Sequence, residues 1–354
     1  MTKLLEDILQ EPGTLEGCLS NLLTSCSAEI EAAARIVSAA SMVRVVGIGS
    51  SWNASLAVAV ALDDAGVPSQ AWDASELLYF GGNRANTVAL VLSRSGRSVE
   101  VVRLLDRFQA QGCPLVGVTN SPDSPLGKRA NVVLNLGARF DHLVSISMYS
   151  TLVLGGSLIG AGVRGQLEEA GRALGEGFRQ ASAMLDGWRH QLAASAWLVA
   201  EAPTYFLARG GSLASAQEAR LLWEEAAKAP ATALSTGGFR HGSQEAIRPG
   251  MRVALWVHAE VLREADLQLA ADLESAGVRV MLIGQNLPPH AAELVLDLPP
   301  APTAWQPVID VIPAQLAAEQ LATLRAENCD GFRYCPYVIK QEGGLNSGEH
   351  KTSA

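Results

Sequence analysis

The stretch Val88-Ala89-Leu90-Val91-Leu92-Ser93-Arg94-Ser95-Gly96-Arg97-Ser98-Val99-Glu100 decides how the rest of the chain is read. Its apolar start is the pattern of a strand buried on both faces. Three serines, two arginines and one glycine then fill six positions before helical spacing begins. Over 99–111, Val101, Leu104, Leu105 and Phe108 fall on one helix face, as in a helix packed on a sheet. Strand, short polar loop and helix N-terminus make an anion cradle: backbone N–H groups converge, the helix end is positive, and hydroxyls donate to phosphate oxygens. The alternative is an ordinary polar turn whose serines only cap the helix.

Outward from this loop the alternation continues. Residues 3–10 and about 22–40 read as helices, and 43–46 as a strand running into Gly47-Ile48-Gly49-Ser50-Ser51 and a helix through Leu62. Strands at 69–72, 88–92, 114–118 and 131–136 follow with helices between, and 146–200 reads as long helices. The pattern then restarts: 204–207 leads into Ala208-Arg209-Gly210-Gly211-Ser212 and a helix to about Lys228, with strands at 253–257, 279–283 and 293–298. Such spacing predicts an α/β fold of two tandem doubly wound parallel-sheet domains, flavodoxin-like, with helices on both faces. Gly49-Ser50 and Gly211-Ser212 are offset by 162 residues, and Asn120 and Asn286 by 166, which reads as an internal duplication. The expected domains are 1–185 (N-terminal helices and first sheet), 186–340 (second sheet) and a flexible Gly/Ser/Lys-containing tail, 341–354. The second half has His258-Ala259-Glu260 where the first has its serine loop, so only the first half carries the cradle.

At 354 residues, 48% hydrophobic and 18% charged, the chain is of the globular class. A net charge of −9 argues against nucleic acid or an anionic membrane as partner, so local dipoles and a few arginines must hold any phosphate. Five cysteines lack CxxC or zinc spacing and read as reduced thiols. The acid-containing N-terminus is not a signal peptide and no apolar run reaches bilayer length, so a cytoplasmic location without membrane attachment is expected. Trp52 stands where a dinucleotide motif would need its third glycine, and no HxH or HExxH is present. No cofactor and no metal are expected.

The densest polar segment of the second half runs from Glu218 to His241. Glu218 and Glu225 share a helix face, and Ser235-Thr236-Gly237-Gly238-Phe239-Arg240-His241-Gly242-Ser243 is a glycine-flanked loop with one histidine. A helix carboxylate and a loop histidine can supply base and acid for proton transfer at a sugar carbon. A solvated helix end and a turn histidine would give the same spacing.

Together GIGSSWNA (47–54), LSRSGRSVE (92–100), GVTN (117–120), EARLLWEE (218–225) and FRHG (239–242) resemble the SIS (sugar isomerase) family over about 20–340, specifically its double-SIS members. These include AgaS-like aminosugar-phosphate deaminases or isomerases, fructosamine-6-phosphate deglycases and the isomerase half of glutamine–fructose-6-phosphate aminotransferase. SRSG followed by Ser is most similar to the deaminase branch. The resemblance implies substrate and phosphate contacts at Gly49, Ser50, Ser51, Ser93, Arg94, Ser95 and Ser98, and a closing loop at Val144, Ser145 and Ser147. It implies Glu225 as the enediol base, His241 as a ring-opening group often supplied by a neighbouring subunit, and Lys340 as the C-terminal active-site lysine. The chain departs from the family at 139–143, at Leu222 in place of a helix lysine, and at Ser243 in place of the proline after His-Gly. With nothing ahead of the first helices, glutamine-dependent synthesis is not expected.

The resulting expectation is a homodimeric phosphosugar isomerase whose substrate is a small-molecule sugar phosphate, a hexose or aminohexose 6-phosphate. The alternatives are an aminosugar-6-phosphate deaminase, a deglycase in which Arg94, Arg97 and Arg139 bind an acidic aglycone, and a non-catalytic sugar-phosphate-binding regulator.

Overall fold

The computed structural model describes residues 1–343; from 344 onward, the expected tail lies outside the described residues. The first half runs α1 (Lys3–Thr24), α2 (Ser27–Ser38), β1 (Met42–Gly47), α3 (Ser50–Asp64), β2 (Ser69–Asp73), α4 (Ala74–Phe80), β3 (Thr87–Leu92), α5 (Val99–Ala110), β4 (Leu115–Thr119), α6 (Pro125–Arg129), β5 (Val132–Asn135) and α7 (Ser147–Arg164). It continues with α8 (Leu167–Ala194), β6 (Thr204–Ala208), α9 (Leu213–Glu225), β7 (Thr232–Ser235), α10 (Thr236–Arg240), β8 (Arg252–Val257), α11 (Arg263–Ser275), β9 (Arg279–Gln285), β10 (Leu294–Leu298) and α12 (Ile312–Leu324).

The strands form two parallel five-stranded sheets, ordered β2-β1-β3-β4-β5 and β10-β9-β8-β6-β7. Read from its other edge, the second sheet has the same order as the first. This is the tandem doubly wound α/β architecture that the alternation implies. The central strands β3 and β8 are buried at all their positions, which is why each reads as an unbroken apolar run. The face expected of α5 is the buried one: Val101, Leu104, Leu105 and Phe108 pack with Val46, Ala89 and Val91.

Each sheet lies in its own compact unit, and each unit is discontinuous. One comprises Thr14–Gly171 and the segment from Asp330 onward; the other comprises Met1–Gly13 and Arg172–Cys329. In the second-sheet unit the N-terminus is tied to α12 by Thr2 donating to Glu319 at 2.9 Å and Gln315 donating to Glu11 at 3.2 Å. Trp188 of α8 donates to the Asp297 carbonyl at 3.0 Å in the same unit. The limits 1–185 and 186–340 remain a proposal about the repeated stretch of sequence; the compact units divide at Gly13, Gly171 and Cys329.

Two elements differ from the sequence reading. The first helix does not stop at residue 10 but runs to Thr24 with Pro12 inside it. Ile8, Leu15, Leu19 and Leu22 are all buried along it, and burying that stripe outweighs the roughly 3 kcal/mol cost of an interior proline. The edge strand β7 was hidden because four residues after a helix end carry too little periodicity to register. The region 146–200 is helical as expected. In it, α7 is buried continuously from Ser147 to Ala161, a helix covered on every side.

Candidate functional site

The serine loop sits where β3 ends and α5 begins, at the carboxyl end of a central strand. Its backbone folds onto the end of β4: Thr119 Oγ1 and the Asn120 N–H donate to the Arg94 carbonyl at 3.2 and 3.3 Å, and the Ser93 N–H donates to Val118 at 3.1 Å. Inside the loop the Gly96 N–H donates to Ser93 Oγ at 3.1 Å and the Arg97 N–H to Ser95 Oγ at 3.3 Å. A hydroxyl that accepts in this way keeps its own proton to donate. Ser98 occupies the N-cap of α5, yet its side chain makes no capping hydrogen bond. The loop serines therefore do not spend themselves as a helix cap, and their hydroxyls suit an anion.

The segment bearing Lys340 comes to the same place. The Ile339 carbonyl accepts the Val99 N–H at 3.2 Å, at the first turn of α5. The Arg94 guanidinium lies 4.1 Å from the Tyr337 ring centroid and donates to the Tyr337 carbonyl at 3.3 Å. Arg103 on α5 pairs with Glu342 at 2.5 Å, and Tyr79 also donates to that carboxylate. Lys340 itself is exposed. The loop and the C-terminal segment are thus brought together within one unit.

Gly49 caps α3 with φ +57°, and Ser50 and Ser51 open that helix at the end of the neighbouring strand β1. The second expected contact loop is arranged differently. Asp141, buried, accepts N–H groups from Ile146, Ser147 and Met148 at 2.9, 3.0 and 2.9 Å, filling the N-terminus of α7 with a carboxylate of the chain's own. Val144 and Ser147 are buried and Ser145 is half-buried, so the Ser147 amide is not available to a ligand. Asp141→Ala leaves three buried N–H groups without their carboxylate. It is expected to destabilise its unit by about 3 kcal/mol, read as a lowered urea midpoint at unchanged slope.

In the second-sheet unit α9 connects two parallel strands and so returns toward the edge where they begin; half-buried Glu225 is its last residue. The Glu225 carbonyl accepts the Lys228 Nζ, and Lys228 has φ +53°. His241 follows β7 and α10 at the other edge and is exposed. Glu225 ends α9 and His241 follows α10, sixteen residues apart in the chain.

The loop after β6 holds a group the motifs did not reveal. Asp310, fully buried, accepts from Ser212 at 2.6 Å and from Ser215. Burial pushes its carboxyl up to about 7, against the pull of the two hydroxyls. The folded chain then keeps this proton to about pH 7, whereas an unfolded aspartate releases it near about pH 4. Stability from this group is full below about pH 4 and is lost as pH rises to about 7. Asp310→Asn is expected to flatten the fall in urea midpoint over that interval; a variant whose slope matches wild type would remove Asp310 as its source. The counterpart of the cradle after β8 is filled internally. Arg209 donates to the buried Asp266 of α11 at 2.8 and 3.1 Å, and His258 Nδ1 accepts the N–H groups of Glu260 and Val261.

Residues 36–161 match the SIS domain family. The chain carries an SIS domain. This domain spans β1 to α7 and contains the serine loop. A glutamine–fructose-6-phosphate aminotransferase (isomerizing) of Pyrobaculum aerophilum is 24% identical over 351 residues, covering 96% of this chain and 57% of that protein. The chain therefore spans little more than half the length of that curated relative. Among solved structures, glucosamine-6-phosphate deaminase of Thermotoga maritima has a TM-score of 0.80 at 19% identity, covering 96% of this chain and 99% of that one. Tagatose-6-phosphate ketose/aldose isomerase of Escherichia coli has a TM-score of 0.81 at 20% identity, covering 93% and 95%. These structures share the double-sheet fold of this chain. Among described residues no helix is long and apolar enough to cross a membrane.

The SIS motifs left out Asp141, Asp310 and the contact of 337–342 with the loop. A signal for Asp310 existed: it is a lone acid in Val308-Ile309-Asp310-Val311-Ile312. Asp141 and the C-terminal contact had none, because each depends on which carbonyls and N–H groups the fold brings near.

Proposed function

We propose that this chain is a phosphosugar isomerase acting on a hexose or aminohexose 6-phosphate. The observation that carries the reading is the serine loop of the SIS domain, whose Ser93 and Ser95 hydroxyls accept within the loop and retain protons for an anion. In this reading the phosphate oxygens accept hydrogen bonds from the Ser93, Ser95 and Ser98 hydroxyls, with Gly49, Ser50 and Ser51 beside the sugar. Phosphate binding, remote from the reacting carbons, then serves to orient them. His241 assists ring opening, supplied by the second subunit of a homodimer. The Glu225 carboxylate takes the proton from C2 as O1 gains one, giving the C1–C2 enediol; the carboxylic acid then returns its proton to C1 as O2 loses one, leaving the ketose. Lys340 is assigned to ring opening or imine chemistry. If C2 bears an amine, the same transfer leads through an enolamine to an imine that water hydrolyses, releasing ammonia.

The test is an assay of the full chain on a panel of hexose 6-phosphates and 2-amino-2-deoxyhexose 6-phosphates, with ketose formation and ammonia release followed separately. Ketose without ammonia is the expected result on a neutral hexose phosphate. Ammonia release from the amino sugars would make the chain a deaminase. Binding across the panel with no turnover would overturn the catalytic reading and leave a sugar-phosphate sensor.

A further inference from the structure

Thr87 opens β3 and Ser93 follows its other end, so about 20 Å of extended chain separates the serine loop from the edge where the strand begins. At that edge lies a cavity of about 770 Å³, lined by Arg44, Arg84, Thr87, Gln111 and Cys113 with Phe108 among its apolar residues. Arg44 on β1 is 5% exposed. It donates from Nη2 to the Gly82 carbonyl at 2.6 Å and stands 5.9 Å from the Trp72 ring centroid. Burial, then Arg107 and Arg84, lower its pKa, opposed only in part by Cys113. Arg107 spends its donors on the Leu77 and Leu78 carbonyls and on Asn83. Arg84 forms no ion pair among the described residues. Thr87 is 6% exposed, and its hydroxyl has no hydrogen-bond partner.

The second-sheet unit shows a buried arginine satisfied by the chain's own oxygens. Arg252 donates to Thr204 Oγ1 at 3.2 Å, to Val199 at 2.6 Å and to Ala202 at 3.3 Å. Arg325, lining the same hollow, is paired with Glu201. At the first sheet the corresponding donors face a cavity, a second arginine adds to the charge, and a buried hydroxyl is left over. An unmet buried hydroxyl costs about 1–3 kcal/mol, which a ligand oxygen would recover.

We infer that this cavity is a second binding site, for a small organic anion whose phosphate or carboxylate head meets Arg44, Arg84 and the Thr87 hydroxyl and whose apolar body lies against Phe108. Its distance from the serine loop makes it an effector site, not part of the reacting centre, and it does not depend on the activity proposed above. The probes are phenyl phosphate and benzoate, titrated calorimetrically into the full chain carrying Ser95→Ala and Ser98→Ala, which removes two hydroxyls from the other anion site. At least one probe is expected to bind, and adding Arg84→Ala or Thr87→Val should weaken it about tenfold or more. Arg84 is exposed and valine matches threonine in shape, so both variants should keep the fold, checked by a urea midpoint that does not fall. Preference for phenyl phosphate assigns a phosphate ligand, and preference for benzoate a carboxylate. Failure of both probes to bind, or binding unaffected by Arg84→Ala and Thr87→Val, would overturn the inference.

Discussion

Glu225→Gln is expected to lower kcat by about 10²- to 10⁴-fold with sugar-phosphate binding preserved. Glutamine keeps the length and shape of the side chain and removes only the ability to take a proton. The position tolerates the exchange: Glu225 is half-buried at the end of α9, and the bond from Lys228 Nζ goes to its carbonyl, which the substitution leaves in place. The two parameters separate the possibilities. A base used only in the transition state costs kcat and kcat/KM together, whereas a binding residue would raise KM. Unchanged turnover would exclude Glu225 as the base. Loss of binding together with turnover would assign it to holding the substrate.

The second large effect is expected at Gly96, where the backbone has φ +59°. A Cβ built there would lie 2.1 Å from Ser124 Oγ and 2.8 Å from Ser124 Cβ. Ser124 is buried and caps α6 by accepting the Gly127 N–H at 3.2 Å, so it cannot simply turn away. Gly96→Ala therefore combines a left-handed residue, a displaced cap and overpacking. It should cost about 3–5 kcal/mol. The Gly96 N–H also holds Ser93 Oγ, so affinity for the sugar phosphate should fall by more than about tenfold even where the chain stays folded. A urea midpoint and a ligand titration read the two losses separately. A variant with wild-type stability would show that the loop is free to move away from α6.

The fold was legible because its signals are local. Buried central strands must be apolar at every position, and 88–92 and 253–257 are; the sheet-facing stripe of α5 is visible in four residues. The serine loop was legible for the same reason, since strand, loop and helix N-terminus are consecutive. The first helix reads short because its buried stripe continues past Pro12 to Leu22, farther than the local pattern of 3–10 shows. Strand β7 misled because an edge strand of four residues has almost no pattern.

The site divides along the same line. Chain order alone determined that a run of serines stands at the end of a central parallel strand, where helix dipole and N–H groups face outward. It also placed a carboxylate at a helix end and a histidine on a glycine-flanked turn. Only the tertiary structure decided what each of these groups touches. It put Asp141 into the N-terminus of α7, tied Asp266 to Arg209 where a second cradle could have been, and buried Asp310 between two serines. It laid the segment of Ile339 across the first turn of α5, and it left Arg44 and Thr87 facing a cavity. The physical reason is range. Strand and helix patterns follow from the period of the backbone within a few residues. Whether a hydroxyl, carboxylate or guanidinium is satisfied depends on groups tens or hundreds of positions away, which meet only when the chain has folded.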